Sequence, residues 1–121
     1  MMSFLIVAAG GALGALLRYG VGLLAGGGAW PSGTFFVNIA GGFLMGLLAG
    51  WLAARGGTEG VRLFLGVGLL GGFTTFSAFS LELALMLERG ALNMAFAYAL
   101  FSVILSVAAL FAGLMVMRMV S

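Results

Sequence analysis

The chain has 121 residues, of which 64% are hydrophobic and 7% charged, and its five arginines and three glutamates leave a formal net charge of +2. Water-soluble chains carry about 25% charged residues, so this composition excludes a soluble domain and makes lipid the main solvent. Cysteine, histidine, lysine and aspartate are absent. Disulfides, zinc sites and the usual enzymatic nucleophile and base pairs are excluded with them, and no enzyme and no nucleic-acid partner is expected.

A bilayer core about 30 Å thick is crossed by about 20 apolar residues of helix. Four such stretches are predicted, at residues 3–26, 34–54, 62–88 and 93–118, which make residues 1–121 a single all-α, four-span transmembrane domain. The intervening segments "GGAWPSG", "RGGTEGVR" and "ERGALN" hold the one proline and most of the charges. No basic region precedes the first apolar run, so that run is read as a span and not as a cleaved signal peptide.

In span 1, Gly10, Gly14, Gly22 and Gly26 recur at intervals of four, and Arg18 takes the missing step. Positions four apart lie on one slowly turning stripe, and small residues there let helices approach closely. A guanidinium within a span costs at least about 2.5 kcal/mol unless it pairs, snorkels or meets water. Arg18 is therefore read either as a charge that draws anions into a wet vestibule or as a snorkelling, helix-linking arginine.

Span 2 repeats the ladder with Thr34, Asn38, Gly42, Gly46 and Gly50. Asn38 then sits on the packing stripe, where its amide either ties two helices together or donates to a passing anion.

Span 3 is interrupted near its middle by "GGFTTFS". Glycine costs about 1 kcal/mol in a helix relative to alanine, and threonine diverts backbone hydrogen bonds. Either the helix continues and the glycines only permit packing, or it breaks and releases carbonyls. Lipid cannot satisfy such carbonyls, so a break has to be buried in protein or line a cavity, where carbonyls commonly hold a cation. Phe76 and Phe79 follow, three apart and on nearly one face. They are either core or, with positive ring edges turned inward, contacts for an anion. Glu82 is either a capping or paired acid or part of a water-filled vestibule.

Span 4 carries Tyr98, Ser102 and Ser106 at intervals of four, read as a polar track or as helix–helix hydrogen bonding. With an even number of spans both termini lie on the side of the middle loop. Arg55, Arg62 and Arg118 then oppose Arg89 and Arg18, a bias too small to fix orientation by the positive-inside rule. Copies inserted both ways can pair as an antiparallel two-fold dimer.

"GGALGALLRY", "GTFFVNIAGGFLMG" and "GGFTTFSAFSLE", one motif in each of the first three spans, together resemble the CrcB/Fluc family of bacterial fluoride channels, and the resemblance covers nearly the whole chain. It implies a dual-topology homodimer in the bacterial inner membrane, with two antiparallel pores that export fluoride passively. It also implies a structural sodium ion held by the main-chain carbonyls of Gly71 and Thr74. By the same resemblance Asn38, Phe76, Phe79, Tyr98, Ser102 and Ser106 are the pore residues, and Arg18, Thr34, Ser77 and Glu82 the polar support. Ala78 stands where some relatives carry threonine, which touches neither the carbonyls nor the rings.

Two other classes fit parts of the pattern. A small multidrug exporter is also a four-span dual-topology dimer, but its proton coupling needs an acid that span 1 lacks. A packing or assembly subunit explains the glycine stripes but not the threonine, serine and phenylalanine cluster around the break.

Overall fold

The computed structural model describes residues 1–120. Four spans run Met2–Ala25, Ser32–Arg55, Glu59–Glu88 and Leu92–Val120, each long and apolar enough to cross a membrane. The first two are helices α1 and α2. The third divides into α3, residues 59–73, and α4, Phe76–Glu88, and the fourth is α5, Leu92–Val120. The predicted boundaries at residues 3–26, 34–54, 62–88 and 93–118 fall within two or three residues of these ends, as expected of edges set by hydropathy.

The ends of the helices follow local chemistry. Gly56 closes α2 in a left-handed conformation at φ 62° and donates to the Leu52 carbonyl at 2.7 Å. Gly90, at φ 79°, turns the chain after α4, where the Ala91 N–H reaches the Met86 carbonyl at 2.9 Å. Thr58 caps the start of α3 by accepting from the Val61 N–H at 3.2 Å.

Helix α3 is not regular. Glu59–Val61 and Gly71–Phe73 are α-helical, while Arg62–Leu70 between them has π-type turns. The Gly71 N–H accordingly reaches back to the Gly66 carbonyl, five residues earlier. Hydropathy does not register this difference, because the same apolar residues are spent on either winding.

Glycine stripes set which helices pair. On α1, a β-carbon at Gly14 would lie 2.7 Å from the Phe73 nitrogen and overlap the Leu69 carbonyl oxygen, so α1 and α3 meet backbone to backbone. On α2, a β-carbon at Gly46 would overlap the Leu110 carbonyl oxygen, which brings α2 equally close to α5. The predicted stripes therefore pack at Gly10 and Gly14, and at Gly42, Gly46 and Gly50. Gly22 lies against Gly33 of α2, and Gly26 is already past the end of α1. Gly68 and Gly72 of α3 answer Gly10 and Gly14 from the other side.

The largest buried cluster lies between α4 and α5, around Phe79, Met86, Ala95 and Tyr98, with Trp30 and Phe35 packed against it. Most other large apolar side chains, among them Phe4, Leu24, Phe36 and Phe96, are on the outside. Such an exterior suits lipid.

Candidate functional site

The third span opens at the two threonines. Thr74 and Thr75 are extended, at φ −91°, ψ 157° and φ −151°, ψ 124°. Gly71 and Gly72 remain helical, with Gly72 packed against Gly11 and Ala15 of α1, and the residues after them make the break. Gly41 of α2 makes room for this: a β-carbon there would overlap the Thr74 methyl group.

Several of the polar groups freed by the break have specific destinations. The Thr75 N–H, which in a continuous helix would donate to Gly71, donates to Asn38 Oδ1 at 2.8 Å. Asn38 Nδ2 donates to the Thr75 carbonyl at 3.0 Å, so one side chain pairs both backbone groups of one residue. The Ala78 N–H, whose helical acceptor would be Thr74, donates to Thr75 Oγ1 at 3.1 Å and makes Thr75 the N-cap of α4. The Gly72 carbonyl accepts from Arg18 Nε at 3.1 Å. Gly71 and Thr74 thus have their usual donors diverted, and two other carbonyls of the break have partners.

Beyond the break the phenylalanines are in contact, with ring centroids 5.6 Å apart. Phe79 is 8% exposed and touches Tyr98 at 5.1 Å between centroids, whereas Phe76 is 77% exposed on the surface of the chain. A groove of about 420 Å³ runs along this face, lined by Asn38, Thr74, Phe76, Phe79, Ser102 and Ser106 among others. The Ser102 hydroxyl is buried, lines this groove and has no hydrogen-bond partner among the described residues. A buried hydroxyl without a partner is costly, and its place on the groove gives it a reason to persist.

Tyr98, the first member of the predicted span-4 track, sits deeper than the serines. It is fully buried and donates to Glu82 Oε1 at 3.0 Å, while Thr34 Oγ1 donates to Oε2 of the same carboxylate at 2.9 Å. Glu82 is thus a paired acid, and it joins α2, α4 and α5. Thr34 and Glu82 also line a second cavity of about 310 Å³, reaching Trp30 and Arg89 at the end of the bundle. Since Thr34 and Asn38 are one turn apart on α2, and Glu82 and Phe79 nearly one turn apart on α4, the two cavities follow the same helix faces.

The structure therefore gathers Asn38, Thr74, Phe76, Phe79, Ser102 and Ser106 at the groove, with Thr34, Glu82 and Tyr98 behind it. Ser77 lies at the break, its hydroxyl 3.3 Å from Thr75 Oγ1. Arg18 lines neither cavity; its contact is the helix link to Gly72. Gly71 is exposed on the surface of the chain. Sequence reasoning missed Thr75, although a threonine immediately before a resuming helix is a standard N-cap signal. It also missed Trp30, whose ring stands edge-on to Tyr98 and Phe35 with centroids 5.3 Å from each.

Residues 5–114 match the family described as "CrcB-like protein, Camphor Resistance (CrcB)". Three relatives named "Fluoride-specific ion channel FluC" are similar over nearly their whole length. That of Caulobacter sp. (strain K31) is 62% identical, over 98% of this chain and 96% of its own. That of Phenylobacterium zucineum (strain HLK1) is 63% identical over 99% and 98%. That of Hyphomonas neptunium (strain ATCC 15444) is 59% identical over 98% and 97%.

Proposed function

The chain belongs to the CrcB-like family, and from that membership and the geometry of the groove we propose that it is a fluoride-selective channel that lets the ion leave the bacterial cytoplasm passively across the inner membrane. The observation that carries the reading is the helix break of span 3, placed directly before two phenylalanines on a groove that also holds Asn38 and the buried Ser102 hydroxyl. Ring edges and hydroxyl or amide donors attract a small anion without giving it a full cationic partner. Weak, successive contacts of this kind allow release, which conduction needs. Arg18, the charge nearest the break, is engaged with the Gly72 carbonyl, which is consistent with a path lined by dipoles.

The working unit is an antiparallel homodimer with one pore along each groove. The exposure of Phe76 supports it, since the groove it lines is open on one side and encloses an ion only when a second chain covers it. The small arginine bias between the two sides supports insertion in both orientations. The carbonyls of Gly71 and Thr74 suit a sodium ion: they are hard oxygen ligands whose usual helical donors are engaged elsewhere. Bound there, sodium supplies positive charge that the released carbonyls need, and its role is structural.

A multidrug exporter is disfavoured because the one acid well inside a span, Glu82, is held by Thr34 and Tyr98. A packing subunit leaves the groove and the Ser102 hydroxyl without a purpose. Expression in bacteria that lack their own fluoride exporter tests the proposal. Growth in fluoride-containing medium is expected to be restored, and continued sensitivity despite membrane insertion would overturn it.

A further inference from the structure

We propose that Asn38, besides lining the groove, is the positioning residue that holds the helix break open for the cation. The inference rests on reading Gly71 and Thr74 as the cation's carbonyls, and it assigns the availability of the first to a side chain on another helix and that of the second to the N-cap Thr75.

Two helical hydrogen bonds have to be lost to free those carbonyls, from the Thr75 N–H to Gly71 and from the Ala78 N–H to Thr74. Each donor has been captured. Asn38 Oδ1 takes the first at 2.8 Å, and Thr75 Oγ1 takes the second at 3.1 Å. A primary amide offers a donor and an acceptor side by side, which lets Asn38 also donate to the Thr75 carbonyl at 3.0 Å. It pairs with Thr75 much as a neighbouring strand would, and the extended backbone of Thr75 is what this pairing requires. Gly41, the neighbour of this latch on α2, leaves the space that the Thr74 methyl occupies.

Two carbonyls of the break are held, that of Thr75 by Asn38 and that of Gly72 by Arg18, while those of Gly71 and Thr74 have lost their helical donors to Asn38 and to the Thr75 hydroxyl. Without Asn38, the Thr75 N–H can return to Gly71 and the helix can close through the break. The anion groove and the cation site thus share one residue. Weakening it lowers cation affinity, and does not merely loosen packing.

The test is the sodium dependence of thermal unfolding of the purified full-length protein in detergent, with sodium chloride exchanged for N-methylglucamine chloride. Asn38→Ala is expected to raise at least about tenfold, the equivalent of about 1.4 kcal/mol, the sodium concentration at which stabilisation sets in, which equals the sodium Kd and is taken as the midpoint. Thr75→Val, which cannot capture the Ala78 N–H, is expected to act in the same direction, and Thr75→Ser to behave as the parent protein. Ser106→Ala, which alters the groove but not the break, should leave the midpoint in place. A general packing defect lowers stability at every sodium concentration without moving that midpoint. If the parent responds to sodium and the Asn38→Ala and Thr75→Val midpoints coincide with it, the latch is overturned while the cation reading stands. If the parent shows no response, the cation reading falls and the latch with it. Should Asn38→Ala not fold, the Thr75 pair decides: coincident midpoints overturn the latch, and separated ones support it.

Discussion

Phe76 and Phe79 are the place where a structural role and a permeation role can be pulled apart. Replacing either by isoleucine removes the ring while keeping much of the apolar bulk. Phe79 contacts two rings, Phe76 and Tyr98, and is 8% exposed. At about 0.5–1.5 kcal/mol per ring pair, Phe79→Ile should cost about 1–3 kcal/mol of stability. Phe76 contacts only Phe79 among the ring pairs of the described residues, so within the chain Phe76→Ile should cost about half as much by the same arithmetic. The two substitutions nevertheless remove the same feature from the groove, a ring whose positive edge can meet an anion. Fluoride flux should therefore fall at least about tenfold in both, equivalent to about 1.4 kcal/mol of barrier.

Thermal unfolding and fluoride efflux from liposomes, measured on the same preparations, separate these effects. Unequal losses of stability with comparable losses of flux are expected. Flux that declines only in Phe79→Ile, in step with its stability, would refute the reasoning and return both rings to the core. Unchanged flux in both would do the same.

Three further outcomes follow from other contacts. Tyr98→Phe deletes the 3.0 Å hydrogen bond to Glu82 but keeps the ring against Phe79, and should lower stability by about 1 kcal/mol as read by thermal unfolding. Gly46→Leu forces α2 away from the Leu110 backbone, so the folded protein should be lost or strongly reduced on size-exclusion chromatography. A tag on the C-terminus should be labelled from both sides of the membrane, and labelling from one side alone would undo the antiparallel dimer.

Hydropathy located the four spans because, in lipid, the length of an apolar run is the dominant constraint on where a helix lies. The glycine ladders at Gly10 and Gly14, and at Gly42, Gly46 and Gly50, were legible for a related reason, since close packing needs small residues at a helical interval. Of the two readings of "GGFTTFS", the broken helix is the one found, but the break falls on Thr74 and Thr75 and not on the glycines. Propensity favours glycine as the weak point, whereas the actual site of opening is decided by Asn38, which arrives from another span. Tertiary pairing of this kind leaves no periodic trace. The same holds for the π-type turns of Arg62–Leu70 and for Trp30, a loop residue that meets Tyr98 only after the bundle has formed. For Arg18, the sequence posed two readings, and the contact with Gly72 depends on α3 lying alongside α1.

What passes along the groove decides the function, and efflux from liposomes holding the purified protein measures it directly. Vesicles loaded with both fluoride and chloride, given a potassium ionophore to carry countercharge, are followed with an electrode selective for each anion. Rapid loss of fluoride with chloride retained is the predicted result. Retention of fluoride by vesicles that contain folded protein, or release of both anions together, would contradict it.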